Sequence, residues 1–467
     1  MPAEETDTVT VEHQLAEKKG DRFVLHQSLR QSFPDSEITI VLEAYDFLLK
    51  QLGYEHPQHI RLVEILLEQK VDHITIAAAL LVPTVWANAS LVSTIKETFG
   101  STIATLVEYI QKVEPVRTDS EKNRHDDMRT FLNSLTNDTR VIILRLGFRL
   151  VELENLVRYG NEENYFYLAR ETIDVFVPLA DRLSMGALRK KLEDVCFRLL
   201  KPQQYQDLAR MVSPIQAQDN TYLEILQDGV KLLLKQNNIK ASISGRTKSL
   251  FSIYRKMSQL HKSLPEIMDR IGLRIVVASV PDCYKVLGIV HTHFRPIANT
   301  FDDYIGLPKE NGYQSLHTCV YPVRQISHKP VEFQIRTRLM HLEAEFGIAA
   351  HWRYKSERQT SLERKEHLQW LRGLTQQHCD STCHEEFITH LRQQVFNDQL
   401  VVFGAAGQFT RFPQGATVND FVKRFSPPVA AGIIARVNGE IQPLQHPLQD
   451  GDTVELSSAQ VPSEKIF

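Results

Sequence analysis

Cysteine is scarce in this chain, five in 467 residues, and the five stand singly apart from Cys379 and Cys383. So thin a supply excludes a small secreted scaffold held by disulfides. An excess of one charge is lacking as well. Against 54 Lys and Arg stand 57 Asp and Glu, a formal net charge of −3, so anions must be met by local basic clusters and not by the field of the whole surface. The first residues, MPAEETD, have none of the character of a signal peptide, and with the lone cysteines they point to a reducing cytoplasm. Long apolar runs are missing too. The stretch from Ile74 to Val92 holds no charged residue, yet Pro83 interrupts it and Thr75, Thr84, Asn88 and Ser90 dilute it. It falls short of the roughly 20 residues a membrane span needs, and reads as a buried helix ending in a loop. Internal repeats and low-complexity tracts are absent.

What is present is enough apolar material, 42% of residues, for several cores in a chain too long for one. After an N-terminal segment, 1–37, apolar residues recur at three and four from 38 to 200; in VIILRLGFRLVELENL, Ile142, Leu146, Arg149 and Leu153 follow turn after turn, and this half is expected to be all-α. A loop around Val212 to Thr221 and one more helix lead into 201–355, where LRIVVAS and PVEFQIRT read as strands between helices, an α/β pattern. A charged helical connector, 356–397, follows. The segment 398–460 reads as a small β-rich module: a hairpin in VVFGAAGQFTRF with Gly404 and Gly407 at its turn, a short helix capped by Thr417 with Asp420 three residues on, and strands in IIARVNG and DGDTVEL, before a tail at 461–467.

Between Gly245 and Leu260 lie Arg246, Lys248, Arg255 and Lys256 without an acidic residue among them, a charge pattern suited to a polyphosphate or to a solvated basic helix. Ser252 and Lys256 share a face if SIYRKM is helical. In the strand VEFQIRT, alternation sends Val331, Phe333 and Ile335 to the core and puts Glu332, Gln334 and Arg336 side by side on the opposite face, as a site wall or an exposed sheet face. Asp269, just before LRIVV, has the placing of a Mg²⁺ carboxylate beside a phosphate cradle, and equally of a cap; Arg274 lies within that strand. The intervening FDDYIGLPKENGYQSLHT is a loop by Pro308 and Gly312, and offers Lys309 for phosphate, Tyr313 as a flat ring, and Asn311 and His317 as polar contacts.

In this order and spacing, GRTKSLFSIYRKM, DRIGLRIVV, DCYKVLGIVH, FDDYIGLPKENGYQSLHT, EFQIRT and AEFGIAAHWRYK resemble the synthetase domain of the RelA/SpoT family, whose members make the alarmone ppGpp. The helical half resembles that family's HD-type hydrolase domain, and the last module its TGS domain. The resemblance implies a multidomain α plus α/β protein: an all-α HD-like domain, a nucleotidyltransferase-like α/β synthetase domain and a small β-grasp TGS-like domain. It implies transfer of pyrophosphate from ATP to the 3′-hydroxyl of GDP or GTP. Arg246 and Arg274 would sandwich adenine, with Lys248, Ser252 and Lys256 on the ATP phosphates. Asp269 would hold Mg²⁺, and Glu332 would be the general base and a further metal contact. Tyr313 would stack on guanine, with Lys309, Asn311, His317 and Gln334 lining the acceptor side; stacking alone does not separate guanine from adenine. A second reading, from another class, is a catalytically silent regulator binding guanine nucleotides or the ribosome.

Two departures stand out against this resemblance. Where a working hydrolase carries a His-Asp pair, an acidic pair and a distant Asp around one metal, this chain has Val82 and Pro83, Trp86 and Ala87, and Phe148, none of which ligates a hard cation. The helical half is thus expected to be inactive as a hydrolase. Where the TGS domain carries a His that senses tRNA, this chain has Phe425 and Ser426, which weighs against the ribosome and uncharged tRNA as partners. The group His378, Cys379, Cys383 and His384 has soft ligands without the spacing of a closed zinc site, and reads as a polar helix end.

Overall fold

The computed structural model describes residues 22–53, 57–112, 132, 137–160, 165–260, 263–267, 270–309, 311–322, 329–349, 370, 372–374, 376, 399–404, 409–413, 415–425, 433–449 and 452–458. The chain divides into two compact units, Met1–Ile388 and Thr389–Phe467. The helical part of the first unit contains α1 (Asp35–Leu52), α2 (Pro57–Glu68), α3 (His73–Ala87), α4 (Leu91–Phe99), α5 (Ser101–Lys112) and α6 (Arg140–Tyr159). Helix α3 is apolar all round and buried from Thr75 to Leu81, as a central helix must be. Asp72 caps it, accepting from the Thr75 amide at 2.9 Å. Pro83 does not end the helix; it lies inside it, and the end comes at Asn88, as the sequence reading of a buried helix followed by a loop requires. Among the described residues no helix is long and apolar enough to cross a membrane.

Helices α7 (Tyr165–Glu171) and α8 (Val177–Arg182) are joined by a π turn, Thr172–Phe176. That extra residue in the turn accommodates Arg149, fully buried on α6, whose guanidinium donates to Glu171 at 2.7 Å and lies 4.6 Å from the Phe176 ring. After α9 (Gly186–Leu200), the expected loop at Val212 to Thr221 is absent. A single helix, α10, runs from Pro202 to Gln236 with Pro214 inside it. The buried positions Leu208, Val212, Asp219, Leu223, Leu226, Val230 and Leu234 keep helical spacing straight through the proline. Tertiary packing on one face thus overrides a local breaker that costs about 3 kcal/mol.

The sheet of this unit has the order β1 (Ser242–Thr247), β2 (Ile271–Val277), β6 (Val331–Thr337), β5 (Leu316–Tyr321), β3 (Arg295–Pro296), with β4 (Asp302–Asp303) also on β5. Strands β2 and β6 are parallel, and β1 and β5 flank them antiparallel. Leu273, Ile275, Val331, Phe333 and Ile335 fill the core on one face, packed by α10 and by α12 (Val280–His293). Helices α11 (Leu250–Leu260) and α13 (Arg338–Phe346) follow β1 and β6. The second unit is a five-stranded sheet, order β10 (Glu440–Gln442), β9 (Ile433–Val437), β11 (Thr453–Ser458), β7 (Gln399–Gly404), β8 (Phe409–Pro413), with α14 (Val418–Phe425). The expected β7–β8 hairpin is there, although Gly407 lies outside the described residues, and Asp420 accepts from the Thr417 amide and hydroxyl, each at 2.9 Å.

Candidate active site

Strand register assembles the site. Cα pairing sets Arg246 opposite Gly272, Gly272 opposite Glu332 and Glu332 opposite Cys319, while the next row runs Ser244, Arg274, Gln334, His317. Because directly opposed residues share a face, the polar row of β6 meets the basic residues of β1 and β2 on the side away from the core. Gly272 fits this row by its size, since a Cβ there would lie 2.8 Å from the Glu332 carbonyl oxygen. A relay of hydrogen bonds crosses three strands: Arg246 donates to Gln334 Oε1 at 2.8 Å, Gln334 donates to Glu332 Oε2 at 2.7 Å, and His317 Nδ1 stands 3.5 Å from Glu332 Oε1. Burial pushes the Glu332 carboxyl up, but the hydrogen bond and charge of His317 and the charges of Lys248 and Arg246 outweigh it and hold the group at about 2.

Beside this row a cavity of about 400 Å³ opens against Arg246, Thr247, Lys248, Ser249, Ser252 and Arg274. It lies at the start of α11, where the helix dipole favours an anion. Asp194, from α9, accepts from the Phe251 amide at 3.0 Å and so fixes this end of the helix. Lys256 lies one turn beyond Ser252 on α11 and is not in the cavity wall. Arg274 donates to Glu345 at 2.6 Å, and Arg336, only 1% exposed, donates to the same oxygen at 3.0 Å. Burial and the charge of Arg336 bring Arg274 down to about 10. The third polar residue of β6 is therefore a buried strut of Glu345 and not part of an open wall.

The loop after β4 is tied up by its own backbone: Gly312, at φ +76°, donates to the Lys309 carbonyl at 2.8 Å, and the Lys309 amide donates to the Tyr313 carbonyl at 3.1 Å. Tyr313, Tyr304 and His317 pack edge to face, with the Tyr313 hydroxyl 2.8 Å from His317 Nε2, and Lys309 Nζ sits 4.5 Å from the centre of the Tyr304 ring. Asn311 serves the loop itself. Its side chain donates to the Asp181 carbonyl at 3.1 Å and accepts from the Tyr313 amide at 3.1 Å, while its carbonyl takes the Ser184 hydroxyl.

Ten of the twelve residues expected from the sequence thus fall on this sheet, on α11 or on the loop after β4, and Lys248 lies in the turn between β1 and α11; Asp269 lies outside the described residues. Sequence reasoning missed Lys190, Asp194 and Glu345, which reach the site from helices. At the positions expected to have lost a hydrolase's ligands, Val82 is buried on α3 and the Trp86 and Phe148 rings pack at a tilt with centres 5.0 Å apart. Among the described residues no group of three His, Cys, Asp or Glu could hold a metal ion. His378, Cys379, Cys383, His384 and Ser426 lie outside the described residues; Phe425 is exposed beside Phe421, ring centres 4.7 Å apart.

Three family models match the chain in succession: an HD domain over residues 50–186, the region found in RelA / SpoT proteins over 245–359, and a TGS domain over 399–458. The chain thus carries, in order, an HD domain, the region found in RelA / SpoT proteins and a TGS domain. It is 34% identical to a GTP pyrophosphokinase of Escherichia coli over 415 residues, 86% of this chain and 55% of the relative. Similar proteins of the same name come from Haemophilus influenzae, 33% identical over 91% of this chain and 58% of the relative, and Myxococcus xanthus, 33% over 94% and 59%. The chain spans a little over half the length of these curated relatives. A solved small alarmone synthetase from Bacillus subtilis matches 36% of this chain and 95% of its own at 23% identity, with a TM-score of 0.27, too slight a likeness to bear on the site.

Proposed function

We propose that this chain is a GTP/GDP pyrophosphokinase, taking ATP as donor and GDP or GTP as acceptor and yielding AMP with ppGpp or pppGpp. The observation that carries the reading is Glu332: one ionised carboxylate set between a cation-lined cavity and an aromatic loop. In the reaction the acceptor's 3′-oxygen bonds to the β-phosphorus of ATP. The bond from that phosphorus to the α,β-bridging oxygen breaks, AMP leaves with the oxygen, and the hydroxyl proton passes to Glu332. Transfer of this kind asks a protein chiefly for alignment and charge neutralisation. Arg246, Lys248 and Ser252 are placed for the donor, Tyr313, Lys309 and His317 for the acceptor.

A carboxylate held at about 2 is a weak base, and after His317 the groups that depress Glu332 are Lys248 and Arg246, whose charge a polyphosphate would neutralise. Donor binding therefore raises the basicity of Glu332 when it is needed. Glu332 is a hard oxygen donor, ionised at neutral pH, and fits Mg²⁺; with Asp269 it would hold the ion, which supplies further neutralisation of phosphate charge. The helical half, with apolar side chains at Val82, Trp86 and Phe148, is read as inactive in hydrolysis. A cytoplasmic location belongs to the same reading. With Phe425 where the family's tRNA-sensing His stands, that reading does not require the ribosome.

Labelled ATP, Mg²⁺ and each acceptor nucleotide, with products resolved, test the proposal. Wild type is expected to form the 3′-pyrophosphorylated product, and Glu332→Gln to lose about 10²- to 10⁴-fold in rate while still binding nucleotide. Equal inertness of both proteins, even with ribosomes added, would favour a silent nucleotide-binding regulator. Release of pyrophosphate from ppGpp by the Glu332→Gln protein would overturn the inactivity assigned to the helical half.

A further inference from the structure

The donor cavity is not built by the synthetase sheet alone. Its wall includes Lys190 and Asp194 from α9, and Val212 and Gln216 from α10. Two other cations of the site are engaged: Arg246 donates to Gln334 and Arg274 to Glu345. On α9 the neighbours of Lys190 are likewise spent, Arg189 on Asp181 at 2.5 Å and Lys191 on Glu68. Lys190 alone of these three has no hydrogen bond or ion pair among the described residues, and it is half-buried against the cavity.

We infer that Lys190 is a donor-nucleotide ligand, a cation contributed by the helical half to the phosphates of ATP. The inference rests on the synthetase reading above and adds a residue to it. A partly desolvated ammonium with no committed partner is unfavourable in the empty protein, and an incoming polyanion relieves that cost. Around Lys190 stand Arg246 on β1, Arg274 on β2, Arg189 on its own helix, Asp194 one turn on, and Glu345 on α13, so cations outnumber carboxylates. Burial, with the charge of Arg246, lowers Lys190 to about 8, which agrees with a site awaiting an anion.

The test is calorimetric titration of the full chain with Mg²⁺ and an ATP analogue carrying a methylene between its α and β phosphorus atoms. Lys190→Met, which keeps the unbranched stem without the ammonium, is expected to weaken binding about 10- to 100-fold, the loss of one charged hydrogen bond. Lys190→Arg should keep most of the affinity, and GDP binding should be unchanged in both variants. In wild type the affinity should fall between about pH 7.5 and pH 9.5, as the ammonium loses its proton, and Lys190→Arg should flatten that fall. Undiminished affinity in Lys190→Met, or a pH profile identical in wild type and Lys190→Arg, overturns the inference. Should wild type itself bind no analogue, the synthetase reading fails with it. If Lys190→Met does not fold, the pH comparison decides alone.

Discussion

Glu332 and Glu345 are both carboxylates that burial pushes up and neighbouring cations pull down, each to about 2. Their partners differ. Glu332 faces groups a substrate can reach, whereas Glu345 holds Arg274 and the buried Arg336, so its role is to keep two guanidinium groups under the sheet. Glu345→Gln leaves Arg336 buried without its countercharge and is expected to cost about 3–5 kcal/mol in urea unfolding. The same carboxylate fixes a pH dependence. Its folded value lies below the roughly 4.3 of an unfolded Glu, so its contribution is full above about 4.3 and disappears as pH falls toward 2, and the variant should lose that part of the acid sensitivity. At this scale strand alternation made Glu332 and Gln334 legible, since it needs only a strand. Lys190 was not legible: it sits in ALRKKLED among other cations, and only packing of α9 on the sheet singles it out.

Elements tell a similar story of local rules meeting tertiary constraint. The sequence reads as a loop around Val212 to Thr221, yet α10 passes through it and through Pro214 because Leu208, Val212, Leu223 and Leu226 hold one buried face on either side. Neither could the contact of the turn after α8 with the end of α13 be read from sequence. There Gly186 approaches so closely that a Cβ would lie 2.6 Å from the Ala344 carbonyl oxygen, and Gly347, at φ +50°, packs under Leu183 and Ser184. A Cβ at Gly347 would come 2.0 Å from the Leu183 carbonyl oxygen, and its backbone conformation disfavours any other residue. Gly347→Ala is therefore expected to cost on the order of 3 kcal/mol or more, and denaturant midpoints compared with wild type measure it.

Across the whole molecule the two compact units have separate cores. In the smaller one Phe421 packs on Phe412, ring centres 5.7 Å apart, and on Phe425. Phe421→Ala should destabilise that unit by about 3–5 kcal/mol and leave the melting of Met1–Ile388 where it was, a difference that calorimetry resolves. The strand succession of this unit was legible because short strands between turn residues leave little choice. Within the larger unit the joint at Ser184 has a different consequence. The hydroxyl of a residue in the helical half holds the very carbonyl that precedes Gly312 and Tyr313. Whatever chemistry the helices perform themselves, they are no ballast: prise them off and the ring that would greet the second nucleotide loses its mooring.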